Sequence, residues 1–200
     1  QLSGENLSVE KAKVIVDNRY EISLSAIAKE RVKRSRDVIE NWIKKGEIIY
    51  GVTTGFGEFK DVKIPMKDIE QLQRNLIISH SAGVGEPLPK NIVRLMLLLR
   101  IQSLAKGYSG VRVELLEYLI KIFNLQIVPY IPSQGSVGSS GDLAPLAHIA
   151  ACIIGEGFAY SEEGKIIPSI EILKQHDLKP FKLSAKEGLA LINGTQMMTA

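Results

Sequence analysis

Between Ile92 and Ala105 the only charged residues are Arg94 and Arg100, and the apolar side chains fall on nearly every face of a helical wheel. A helix of this kind is buried on most sides. The chain must therefore wrap other elements around it. The stretch is too short, and too interrupted by arginine, to cross a bilayer.

Other segments carry a helical signal. Ser8 can cap a first helix that reaches about Asp17. A longer helix is predicted from about Leu24 to Lys45, where Gly46 supplies a normal stop. Glu47-Ile48-Ile49-Tyr50 reads as extended and leads into the loop Gly51-Val-Thr-Thr-Gly-Phe-Gly57. Ile69, Leu72, Leu76 and Ile77 are spaced for a helix over about 68–81. Another helix is expected over 112–124. Pro129 and Pro132 then precede a Gly/Ser loop, Gly135 to Gly141, that runs straight into an apolar helix of about 142–154. Residues 157–160 and 165–167 flank the turn Ser161-Glu-Glu-Gly164 and predict a small hairpin, followed by a short helix near 169–175. Ser184-Ala-Lys-Glu187 is a capping box opening a last helix with no stop signal before Ala200. The chain is thus expected to be mainly α with a few short strands. It is also expected to continue into a helical bundle that begins near residue 184.

Composition narrows the class. Hydrophobic residues make up 45% and charged residues 24%, which is ordinary for a soluble globular chain. The net charge of +3 is spread out, and the densest basic cluster, Lys29 to Arg36, reads as a solvated helix face. No aromatic or Gly-rich pattern accompanies it, so nucleic acid is not an expected partner. A single cysteine, Cys152, excludes an internal disulfide and fits a reducing compartment. No signal-peptide pattern opens the chain, and a cytoplasmic location is expected. No cluster of Cys, His and acidic residues suggests a metal mechanism.

The chemistry is concentrated in a few runs. The first is Gly135-Ser-Val-Gly-Ser-Ser-Gly-Asp-Leu-Ala-Pro-Leu-Ala-His148. Asp142 can cap the following helix, and Pro145 is tolerable in its first turn. Ser140 and Gly141 then lie just outside a positive helix end, where developing negative charge is stabilised. The second is Tyr50-Gly-Val-Thr-Thr-Gly-Phe-Gly57, which lacks the Gly-Lys-Ser/Thr ending of a phosphate loop and does not match Gly-x-Gly-x-x-Gly. The third, Asn75 to Leu88, contains His80 at a helix C-terminus, where an imidazolium is favoured. The fourth is Leu189-Ala-Leu-Ile-Asn-Gly-Thr-Gln196. Taken from the residues alone, these are a capped Gly/Ser loop, a tight loop after a core aromatic, an end-of-helix histidine and a helical asparagine.

Together, in this order and spacing, the four runs resemble the aromatic amino acid ammonia-lyase and aminomutase family. The match covers nearly the whole chain, as the N-terminal portion of the family's fumarase/aspartase-like helical fold. In that family an Ala-Ser-Gly triplet cyclises to the electrophile 4-methylidene-imidazol-5-one (MIO). The matching triplet is Ser139-Ser140-Gly141, with serine where the family has alanine. The resemblance implies that the Gly141 amide nitrogen attacks the Ser139 carbonyl carbon and that Ser140 loses its hydroxyl. It implies Asp142 and Asn193 as supports of the group and Tyr50 as the base, a role that asks the site to favour the phenolate. His80 would contact a polar substrate ring, and Gly83-Val-Gly-Glu-Pro87 looks more like the histidine-specific members than the tyrosine-specific ones.

The implied reaction is loss of ammonia from L-histidine to give trans-urocanate. Tyrosine or phenylalanine chemistry is the alternative, as is a catalytically inactive helical fragment. The implied assembly is a homotetramer whose sites draw on several subunits. The 200-residue chain alone is expected to be inactive.

Overall fold

The computed structural model describes residues 1–55, 64–65, 68–136 and 143–200. Its helices follow the predicted order. In α1 (Val9–Asp17) the Ser8 hydroxyl accepts the Lys11 N–H at 3.3 Å, the expected cap. Ser25 caps α2 (Ala26–Lys45) through the Ala28 N–H. That helix starts later than expected because Leu24 is taken up in a parallel bridge to Leu2. Gly46 closes it in the left-handed region at φ 68°, returning its N–H to Ile43, while Glu47 returns to Trp42.

α3 (Ile69–His80), α4 (Lys90–Leu104), α5 (Val113–Asn124), α6 (Leu143–Ile153) and α7 (Ser169–Gln175) all lie where periodicity placed them. Two short antiparallel pairs join them. β1 (Val84–Pro87) pairs with β2 (Pro132–Gln134) through an irregular register. β3 (Phe158–Tyr160) and β4 (Ile166–Pro168) form the predicted hairpin, closed by Ser161 and Lys165. The first pair had no sequence signal. Val84-Gly-Glu-Pro has neither apolar alternation nor a turn between partners, and Val84, Gly85 and Glu86 are exposed.

α4 is the centre, as its composition requires. Val93, Met96, Leu98, Ile101 and Leu104 have no exposed surface. α1, α5 and α9 (Gln196–Thr199) pack around it. Arg94 survives in this core by stacking 4.3 Å over the Phe123 ring and donating to the Phe123 carbonyl at 3.2 Å. Cys152, the small hydrophobe expected in α6, is fully buried, and burial pushes its thiol up to about 11. Asn124 acts as a side-chain strand partner for the N-terminal arm. Its Oδ1 accepts the Ile22 N–H and its Nδ2 donates to the Ile22 carbonyl, both at 2.9 Å.

Three expectations need correction. Glu47 to Tyr50 forms no strand. The segment folds into a turn in which Val52 and Thr53 N–H groups return to the Ile49 carbonyl. The Thr53 hydroxyl fixes that turn, donating to the Glu47 carbonyl at 2.6 Å and accepting the Ile49 N–H at 2.9 Å.

The cluster Lys29 to Arg36 is not wholly solvated. Lys29, Lys33 and Arg34 are exposed, but Arg36 is 6% exposed. It donates to the carbonyls of Gly110 and Ala185 and to the Ser184 hydroxyl, and it pairs with Glu40.

The segment from Ser184 is not one helix. Arg36 occupies the Ser184 hydroxyl, so half of the capping box is lost, while Glu187 still accepts the Ser184 N–H at 2.7 Å. Lys186 sits at φ 71°, α8 spans only Glu187–Ile192, and the chain breaks at Asn193-Gly194-Thr195 before α9.

Glu187 explains why the short α8 is stable. Its carboxylate is fully buried and accepts from Arg112 at 2.9 Å (Nε) and 2.7 Å (Nη2). Glu187→Ala removes the acceptor of Arg112 Nε, of the Arg112 N–H and of the Ser184 N–H, and leaves the guanidinium only the Lys182 carbonyl. We expect a loss of about 3 kcal/mol, read as a lower urea midpoint with unchanged slope.

Candidate functional site

Tyr50 lies at the start of the turn fixed by Thr53 and is 56% exposed. A small satellite core anchors that turn. Val52 packs with Ile39 of α2, Ile69 of α3 and Ala185, with Trp42, Ile43, Ile49 and Ile64 around them. The rest of the loop, beyond Gly55, lies outside the described residues.

His80 is the last residue of α3, as expected. Its Nδ1 lies 2.8 Å from the Leu76 carbonyl oxygen, one turn back. A carbonyl only accepts, so Nδ1 carries the proton in this contact, and in the neutral ring Nε2 is then an acceptor. The ring is half-buried. Val52 packs against Ile69 at one end of α3 and His80 closes the other. A helix rise of ~16 Å separates Ile69, where the loop after Tyr50 is anchored, from His80.

Ser139, Ser140, Gly141 and Asp142 lie outside the described residues. A side chain on Gly135 would meet Ala144 Cβ and Gly83 Cα at 3.1 Å, so three small residues meet here. α6 begins at Leu143, with Pro145 in its first turn and buried. The positive end of that helix adjoins the triplet in sequence. His148 of α6 accepts the Gly83 N–H on its Nε2 at 3.1 Å, and burial holds its imidazole below the usual range, in the neutral form this bond requires. A cleft of ≈ 530 Å³ opens beside this contact, lined by Ile78, Ser81, Gly83, Tyr130, His148 and Phe158 among others.

Asn193 caps the C-terminus of α8 with an exposed side chain. Its carbonyl accepts from Arg100 Nη1 at 3.0 Å. α3, α6 and α8 pack pairwise, so the helix that ends at His80, the helix that begins at Leu143 and the helix that Asn193 caps form one body. The join between α3 and α8 is exact. Gln73 Oε1 accepts the Gly188 N–H at 2.7 Å inside the core, and a Cβ on Gly188 would lie 3.0 Å from the Gln73 carbonyl oxygen.

Sequence reasoning did not assign His148, Gln73 or Arg100. Arg100 had a visible signal, a charge inside a stretch read as buried on most sides. His148 and Gln73 had none, since their partners lie 65 and 115 residues away. Among the described residues no group of His, Cys, Asp and Glu could hold a metal ion, and no helix is long and apolar enough to cross a membrane.

The arrangement is the helical ammonia-lyase and aminomutase fold. Superposed on the crystal structure of histidine ammonia-lyase from Trypanosoma cruzi, the chain gives a TM-score of 0.91 at 40% identity, over 99% of its length and 38% of that chain. Tyrosine aminomutase from Streptomyces globisporus gives 0.90 at 39% identity, over 98% and 37%. The chain belongs to the aromatic amino acid lyase family, whose model matches residues 7–200. The histidine ammonia-lyase of Caldanaerobacter subterraneus is 48% identical over 199 residues, which is 100% of this chain and 39% of that relative. The chain thus spans little more than a third of the length of the relatives it matches.

Proposed function

We propose that the complete protein is a cytoplasmic, homotetrameric histidine ammonia-lyase that converts L-histidine to trans-urocanate and ammonia, with MIO formed from Ser139-Ser140-Gly141. The observation that carries this reading is His80. Its Nδ1–H is spent on Leu76, so its Nε2 is an acceptor suited to the N–H of a substrate imidazole. The 48% identity to a histidine ammonia-lyase across the whole chain supports the same substrate.

The surroundings fit the prosthetic group. Small residues at Gly83, Gly135 and Ala144 allow the close approach a tight cyclised turn needs, and the N-terminus of α6 adjoins the triplet. When formed, MIO supplies the electrophile that makes ammonia a better leaving group. The chain's own residues do the rest. His80 orients the ring, Tyr50 removes the β-proton as the C–N bond breaks, and Asn193 and Asp142 support the group.

Substrate choice is tested at His80. A site that hydrogen-bonds a polar ring discriminates against an apolar one, because its own polar group then goes unpaired. His80→Leu in the complete enzyme is expected to lower kcat/KM for histidine by about 10- to 100-fold and to raise the relative rate on phenylalanine. Steady-state kinetics on histidine, tyrosine and phenylalanine decide the matter. A wild-type preference for tyrosine would replace histidine in this reading.

A further inference from the structure

Arg100 is 4% exposed on α4, the central helix. Among the described residues it makes no ion pair with a carboxylate. Its hydrogen bonds all go to one place, the break between α8 and α9. Nη1 donates to the Asn193 carbonyl at 3.0 Å and to Gln196 Oε1 at 2.9 Å, and Nη2 donates to the Ala190 carbonyl. The last carbonyls of a helix have no partner within it and carry its negative dipole end. They are therefore a natural seat for a buried cation. Burial pulls the guanidinium down to about 10, which leaves it charged at neutral pH.

Gly194 completes the arrangement. A Cβ there would collide with Arg100 Nη1 and Gln196 Oε1, so this glycine is what lets the guanidinium reach the backbone. Asn193 leaves the helical region at ψ 101°, as an Asn-Gly pair permits, and Arg100 holds the carbonyls of residues 190 and 193 on either side of that departure.

We propose that Arg100 is a positioning residue for Asn193: it clamps the Asn193-Gly194 turn from inside the core and so fixes where the Asn193 amide is presented. This rests on the reading of Asn193 as a support of the reacting group. Placement errors of about 1 Å cost catalysis heavily, and an asparagine beside a glycine on a helix break has no rigidity of its own.

The test is a double-mutant cycle in the complete enzyme with Arg100→Met and Asn193→Ala. Each single variant is expected to lower kcat about 10- to 100-fold with KM changed less than about threefold, and the double variant to be no slower than Asn193→Ala. Hydrogen exchange supplies a readout independent of turnover. Amides of 190–196 should exchange at least about tenfold faster in Arg100→Met, while those of α3 and α6 stay unchanged. Arg100→Lys should restore most of kcat. Gly194→Ala, which displaces the guanidinium from the other side, should reproduce the loss even if Arg100→Met does not fold.

Multiplicative losses in the cycle, or an Arg100→Met enzyme that melts earlier but keeps its kcat, would overturn the proposal and leave the role of Asn193 standing. An Asn193→Ala enzyme with normal kcat would instead remove the role of Asn193, and the proposal with it.

Discussion

Purified as the 200-residue chain, the protein is expected to release no detectable urocanate from L-histidine. The chain spans 39% of the length of the histidine ammonia-lyase of Caldanaerobacter subterraneus, and the proposed site draws on several subunits. The substrate carboxylate also needs a cation. Arg36 and Arg100 have their guanidinium groups committed inside the fold, and Arg112 is held by Glu187. Without that clamp and a second subunit the reacting atoms are not held in line. Lost proximity is worth roughly 7–11 kcal/mol, a factor on the order of 10⁵ or more. An absorbance assay for urocanate, run beside light scattering, measures both turnover and association. Turnover at the rate of the complete enzyme would show that one chain suffices and that the shared-site reading is wrong.

In the complete enzyme, Ser140→Ala is expected to abolish turnover, with a loss on the order of 10³-fold or more, as when the covalently reacting group of an enzyme is deleted. Ser140 is the residue whose hydroxyl must leave for the methylidene carbon to exist. The intact mass gives the independent check. The wild-type chain should weigh two waters less than its encoded sequence, and Ser140→Ala should not show that deficit. Ser139→Ala is the control, because that side chain takes no part in cyclisation. It should keep both the deficit and the activity. A wild-type enzyme that is active at its encoded mass would remove MIO from the proposal.

Much of the fold was legible where the signal was local. Ser8 opens the first helix and Gly46 closes the second through bonds reaching three to five residues, and the α4 pattern announced burial on most sides. The turn at Glu47 to Tyr50 was local and still misread, because the Thr53 hydroxyl that fixes it gives no periodic signal. Most of what else escaped was set by distant partners. The Val84–Pro87 strand exists because Pro132–Gln134 lies beside it. The capping box at Ser184 was undone by Arg36, which lies 148 residues earlier in the chain. The same division holds at the candidate site. His80 at a helix end was readable, but its tautomer depended on the Leu76 carbonyl. Asn193 read as a helical residue because the capping box upstream outweighed the local stop signal of Gly194, and the Arg100 bond to its carbonyl comes from 93 residues away.

Those long-range bonds also set an order of assembly. Gln73 waits for Gly188 across 115 residues, Arg36 for Ala185 across 149, and Arg100 for Asn193 across 93. During synthesis the ribosome delivers α2, α3 and α4 long before any of these partners. Two arginines and a glutamine destined for the interior must therefore stay hydrated until the segment from 184 to 196 emerges. Contacts so distant in sequence close slowly, because loop entropy is lost before they form. Until that segment docks, the apolar surfaces of α4 and α6 are without their α8 and α9 cover, and a nascent chain is most exposed to premature association in that interval. The segment from 184 to 196 acts as the latch for the helices that precede it.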